Sequence, residues 1–238
     1  MALNSKLFIE NNGECYLKDD IRQKLGDIAD VFIDYLKDQG VNLSVADIRI
    51  VGSSVGHDFT EFSDIDLHIV ADFEATTCDT VLLGIALNAE RKSFNSTYNI
   101  SVKGIPVEIY VEDVNAATIS NGIYSITYDK WIKFPEPDLP ISDEYEALIP
   151  GVISNWEDLI SKTILSNRLS EIQRVINRLY MIRKNSLETV GRYGAGNHLF
   201  KQLRNRGLLD QLKDKRIELI SNSLTLENKF IVESLLKR

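Results

Sequence analysis

Asp64 and Asp66, in the stretch Ser-Asp-Ile-Asp-Leu-His-Ile-Val, stand one residue apart on what reads as a short apolar strand. Ile65, Leu67 and Ile69 alternate with Asp64, Asp66 and His68, the period-two pattern of a half-buried strand. Such a strand puts both carboxylates on one face, with Cα atoms about 6–7 Å apart. Carboxylates held together repel one another and lose hydration when partly covered, so the pair calls for a counter-charge. Mg²⁺, which takes carboxylate, phosphate and water oxygens, is the natural one, with Mn²⁺ the alternative.

A second stretch repeats the pattern. In Pro-Val-Glu-Ile-Tyr-Val-Glu, Val107, Ile109 and Val111 share a face, leaving Glu108, Tyr110 and Glu112 on the other. If the two strands are neighbours, Glu108 stands beside the Asp pair, with Glu112 the other candidate for a third acid. Three carboxylates on adjacent strands can hold two metal ions about 3.5–4 Å apart, the arrangement used for in-line phosphoryl and nucleotidyl transfer.

The segment before the acids supplies a second half to such a site. Ile-Arg-Ile-Val-Gly (48–52) reads as a short buried strand opening into a Gly-Ser-Ser turn. Gly52 lets backbone approach a ligand closely. Ser53 and Ser54, at the start of a helix, would offer hydroxyls and amides to a triphosphate. Either element alone is common: an Asp-x-Asp is usually a solvated edge, and a Gly-Ser turn is usually only a turn. A strand, Gly-Ser, ten residues, then Asp-Ile-Asp-Leu on an alternating strand is far more specific.

Residues 51–70, Val-Gly-Ser-Ser through Ser-Asp-Ile-Asp-Leu-His-Ile-Val, resemble the nucleotidyltransferase superfamily with the polymerase-β-type palm. Its signature is an apolar residue, Gly-Ser, a spacer, then Asp-apolar-Asp, with a third acid on a later strand. The resemblance covers residues 45–132. It implies Asp64 and Asp66 as metal ligands, Glu108 as the third acid, Ser53 as a triphosphate contact, and two Mg²⁺ ions with an NTP substrate. Two departures leave the acceptor open. Gly56 and His57 stand where minimal nucleotidyltransferases often carry Arg-Gly, and the Gly-Gly and Arg-Asp elements of CCA-adding enzymes are absent.

Other candidates carry less. His68 lies on the acid face, where a hydrogen-bonded structural role competes with contact to a phosphate or base. His57 could gate a nucleotide or simply sit in a loop, and Tyr110 could stack a base or pack. Further on, Gly-Arg-Tyr-Gly-Ala-Gly precedes a helix with Asn197, Lys201 and Arg204 at i, i+4, i+7. Lys201 and Arg204 on that face are candidate phosphate contacts, against a solvated face over a core of Leu199, Phe200 and Leu203. Arg174 and Arg178 share a face with Glu171 and are expected in surface ion pairs.

Helical spacing spans residues 20–39 (Ile21, Leu25, Ile28, Val31, Phe32, Tyr35, Leu36), with Gly40 as the stop, and 77–90 (Val81, Leu82, Ile85, Ala86, Ala89). Residues 97–113 read as two strands joined at Lys103-Gly104, and 124–132 as one more strand. Phe-Pro-Glu-Pro-Asp-Leu-Pro (134–140), with three of the five prolines, marks a boundary. Beyond it the chain reads helical, with a stripe of Leu165, Leu169, Ile172, Ile176 and Leu179, Gly191 after it, and helices near 197–206 and 223–237.

Composition sets the class. With 238 residues, 44% hydrophobic and 26% charged, the chain reads as globular rather than disordered. No apolar run approaches the roughly 20 residues of a membrane helix. No signal pattern is visible, and two cysteines without ligand-like spacing fit a reduced, cytoplasmic chain. Residues 1–150 hold 11 Lys/Arg against 26 Asp/Glu, while 151–238 hold 16 against 9. An acidic half before a basic half points to two modules, the second suited to phosphates.

The sequence therefore predicts an α+β chain. A mixed β-sheet nucleotidyltransferase domain with flanking helices spans 1–134, a Pro-rich linker 135–140, and a basic α-helical domain 141–238. NTP is expected between the domains, Gly52, Ser53, Ser54, Lys201 and Arg204 on its phosphates, and Asp64, Asp66 and Glu108 on the metals. The acceptor is an RNA end, tRNA included, with a small molecule or a protein hydroxyl as alternatives. A non-catalytic nucleotide-binding module on the same scaffold is the competing class.

Overall fold

The computed structural model describes residues 3–57, 59–116, 118, 120–137, 143–191 and 193–225, with side chains from 148 onward in the first helix after 142. The chain forms two compact units, residues 1–138 and 139–238. The first begins with a hairpin that the sequence reading missed, β1 (Phe8–Asn11) and β2 (Glu14–Leu17). Asn12 and Gly13 turn it with φ of 53° and 82°, the mirror-image turn whose twist matches the strands. Helix α1 (Asp19–Asp38) follows, burying Ile21, Leu25, Ile28, Ala29, Phe32 and Leu36. Val31, on the expected apolar stripe, is exposed instead. Acids in the first turn and Lys37 in the last suit the helix dipole.

A six-stranded sheet carries the rest of this unit. Its strands are β3 (Ser44–Val51), β4 (Ile65–Asp72), β5 (Ser101–Val102), β6 (Ile105–Asp113), β7 (Ile123–Ser125) and β8 (Lys130–Lys133). Their order is β5-β6-β4-β3-β7-β8. Only β4 and β6 pair in parallel, so the sheet is mixed and the class is α+β, as expected. Ile65, Leu67 and Ile69 of β4 and Ile109 of β6 are fully buried in one cluster with Leu25, Phe32, Leu87 and Phe94. Burying each such side chain stabilises by about 1.5–3 kcal/mol, and a one-residue slip would drive the acids into that core. The apolar face therefore fixes where the carboxylates point.

Helices α2 (Phe73–Thr76) and α3 (Thr80–Thr97) connect β4 to the β5–β6 hairpin. Helix α3 departs from the expected 77–90 in length and in face. It buries Leu83, Leu87 and Phe94, while Val81, Leu82 and Ile85 are exposed. Contacts at its two ends set its rotation. The Asp79 carboxylate caps the Leu82 N–H at 2.9 Å. Asn95 clamps β6, donating to the Ile109 carbonyl at 3.0 Å and accepting the Ile109 N–H at 3.1 Å. The single strand expected over 124–132 is instead the β7–β8 hairpin, turned where Asp129 has φ 51° and accepts the Tyr124 hydroxyl.

The second unit is helical: α4 (Asp143–Leu165), α5 (Leu169–Thr189), α6 (Ala195–Asn205) and α7 (Leu208–Leu224). Its core includes Ile153, Trp156, Ile160, Ile172, Ile176, Leu179, Phe200, Leu203 and Leu212. Leu165, expected to begin the α5 stripe, is exposed at the end of α4, because the chain turns at Asn167 with φ 53°. Glu171 pairs with Arg168 at 3.0 Å rather than with Arg174 or Arg178, and Arg178 lies 5.0 Å over the Trp156 ring. Helix α7 was not anticipated. The helix expected at 223–237 falls, past residue 225, outside the described residues. No described helix is long and apolar enough to cross a membrane.

Candidate metal centre

The register of the parallel pair builds the site. Asp66 stands opposite Glu108, His68 opposite Tyr110, and Val70 opposite Glu112. Asp64 lies one residue before β4 begins. Carboxylate oxygens of Asp64, Asp66 and Glu108 lie within 4.8 Å of one another, each on a half-buried side chain. A cluster of this geometry can bind a metal ion. The donor set is all carboxylate oxygen, which suits a hard divalent cation.

The Gly-Ser turn closes on the same carboxylates. Gly52 has φ 80°, and a Cβ there would lie 2.2 Å from Asp66 Oδ2, so only glycine lets backbone and carboxylate sit together. The Gly52 N–H donates to Ser120 Oγ at 3.0 Å. Ser53–Val55 forms a single 3₁₀ turn rather than the start of a longer helix. The Ser53 hydroxyl, half-buried, bonds Ser63 Oγ at 3.0 Å, and Ser63 also accepts the Thr60 N–H at 2.9 Å. The turn is thereby tied to the residue preceding Asp64. Ser54 stands apart from this group, because it is fully buried and its hydroxyl donates to the Val51 carbonyl at 3.4 Å.

A polar layer continues along the sheet face. The Tyr110 hydroxyl donates to Glu108 at 2.8 Å. Burial and that bond push the Tyr110 pKa well above its ordinary value, so it remains a donor. Arg91 of α3 sits 4.3 Å over the Tyr110 ring, and the His68 ring stacks with the Tyr110 ring at 5.1 Å between centroids. Glu112 is occupied elsewhere. It bonds His68 Nδ1 at 3.0 Å and accepts from Thr118 at 2.7 Å, with Arg49 at 3.9 Å. Burial would raise the Glu112 pKa, but the hydrogen bonds from His68 and Thr118 and the nearby charges hold it below the ordinary range. Glu108 is therefore the third acid of the cluster.

The predicted residues thus divide. Gly52, Ser53, Asp64, Asp66 and Glu108 come together in the first unit, and Ser54 and Glu112 serve the scaffold. His68 and Tyr110 buttress the acid face. Lys201 and Arg204 lie, partly buried, on α6 in the second unit, where Asn197 is buried rather than part of an exposed polar face. Sequence reasoning missed Ser63 and Ser120. Ser63 adjoins Asp64 and was within reach of inspection, whereas nothing in the sequence links Ser120 to Gly52, 68 residues away. Compared with known proteins, the chain matches no protein-family model, no curated protein and no solved structure.

Proposed function

We propose that this chain is a metal-dependent nucleotidyltransferase that moves NMP from an NTP to an acceptor hydroxyl and releases pyrophosphate. The observation that carries this reading is the convergence of Asp64, Asp66 and in-register Glu108 beside a Gly52–Ser53 turn tied to the acid segment. A lone metal-binding acid cluster has no need of that turn; a phosphate-handling site does. Asp64, Asp66 and Glu108 would hold Mg²⁺, two ions by analogy with the superfamily resemblance. Bound there, the ions supply charge neutralisation of the phosphates and acidify the acceptor hydroxyl.

The chain's own groups do the rest. The close backbone at Gly52 seats the turn against the Asp66 carboxylate, and Ser53 can exchange its bond to Ser63 for one to a phosphate oxygen. An acceptor oxygen forms a bond to the α-phosphorus while the bond from that phosphorus to pyrophosphate breaks. The acceptor proton passes to a carboxylate, for which Glu108, oriented by Tyr110, is the candidate. The basic residues of 151–238, Lys201 and Arg204 among them, favour an RNA end as acceptor over a cationic small molecule.

Incubation with each α-labelled NTP, Mg²⁺ and separate pools of RNA, protein and metabolites tests the proposal. Label should enter one pool, and Asp64→Ala and Asp66→Ala should abolish it. Metal-independent nucleotide binding without transfer to any pool would instead favour the binding module.

A further inference from the structure

One cavity of the first unit does not involve the three acids. It is an open groove of about 760 Å³, between the β1–β2 hairpin and the edge strand β8, within the size range of small-molecule sites. Its walls are aromatic. Phe8 and Trp131 stack at 5.1 Å, Phe134 meets Trp131 edge-on at 4.9 Å, and Tyr16 adds a partly exposed ring. The Trp131 indole N–H is already spent on the Cys15 carbonyl, which fixes the ring.

The charge around these rings is mostly negative. Glu10, Glu14 and Asp129 line the groove against Lys130 alone. Asp129 is met by Arg22 at 3.4 Å from outside the lining, so Glu10 and Glu14 on the hairpin leave the local excess of negative charge. The Cys15 thiol, in the same wall, is pushed up by burial and then by the charge of Glu10. His57, also in the lining, has a buried Nδ1 with no hydrogen-bond partner. An aromatic surface attracts cations through its ring quadrupoles, and carboxylates at its rim repel anions.

We infer that this groove is a binding site for an organic ammonium ion with an aromatic body. The ring of such a ligand lies among Phe8, Trp131 and Phe134, and its ammonium faces Glu10 and Glu14. A neutral ligand of the same shape gains the ring contacts only, and an anion meets the wrong charge. The site is independent of nucleotidyl transfer, since none of the three clustered acids lines it.

The test is an NMR titration of the ¹⁵N-labelled full chain, without nucleotide or divalent metal, using phenethylammonium and 2-phenylethanol as charged and neutral probes. Trp131→Phe assigns the two indole signals. Saturable shifts at the Trp131 indole and His57 are expected with phenethylammonium, at an affinity roughly tenfold above that of 2-phenylethanol. Glu10→Gln/Glu14→Gln, both on the exposed hairpin, should lower it by about fivefold while the rest of the spectrum confirms the fold. Equal affinity for the two probes, an unchanged affinity in the double variant, or no saturable shift at these residues overturns the inference.

Discussion

At the scale of single residues, the acid face works by assigning neighbouring carboxylates different partners. Glu108 is held by Tyr110 and turned toward the Asp pair, whereas Glu112, four residues on, is absorbed by His68, Thr118 and Arg49. Glu112 has a folded pKa below its ordinary value near 4.5. A carboxylate with a depressed folded pKa adds stability above the unfolded value, and loses it as pH falls through the folded one. Glu112→Gln should therefore cost about 1 kcal/mol in urea unfolding at neutral pH. The gap to the parent chain should shrink as the pH drops below about 4.5. A gap that does not change with pH would refute the pairing. The choice between Glu108 and Glu112 was not legible in the sequence. Both lie on the same strand face, and only the parallel register with β4 separates them.

At the scale of elements, β4 and β6 were legible because one face of each is apolar and its alternation is strict. Ile65, Leu67 and Ile69 announced β4 and, through it, the side on which Asp66 emerges. Helix α3 was legible in existence but not in rotation. Val81, Leu82 and Ile85 gave as good a stripe as Leu83, Leu87 and Phe94, and the choice was made by Asp79 and Asn95. The β1–β2 hairpin was missed although Asn12-Gly13 is its turn signal, and the break after α4 is set by a single residue, Asn167. Asn95 is the polar group that satisfies β6 at Ile109, the strand that carries Glu108. Asn95→Leu should leave that N–H and carbonyl without their partner and cost about 2–3 kcal/mol in denaturant unfolding. A loss under about 0.5 kcal/mol would mean that Asn95 only accompanies the strand.

At the scale of the molecule, the division of charge is the feature that bears on the acceptor. Residues 1–150 are net −15 and residues 151–238 net +7, giving −8 for the chain. An RNA acceptor held by the basic part should dissociate steeply with added salt, the log–log slope falling by about one for each phosphate contact removed. Lys201→Gln and Arg204→Gln should each flatten that slope, as read by fluorescence anisotropy with labelled single-stranded RNA. The division between residues 138 and 139 falls within the Pro-rich stretch 134–140, where prolines break regular structure. The proposed acceptor was not legible, because Gly56 and His57 depart from the Arg-Gly on which a closer resemblance would rest. Everything proposed about chemistry rests on Asp64, Asp66 and Glu108 acting together on a divalent ion. The most direct measurement is an electron paramagnetic resonance titration of Mn²⁺ with the parent chain and with Asp64→Asn, Asp66→Asn and Glu108→Gln. The parent should remove Mn²⁺ from the free-ion signal, Mg²⁺ should compete for the same site, and each variant should weaken binding by at least about tenfold. Mn²⁺ left free by the parent, or bound equally well by all three variants, would contradict the account.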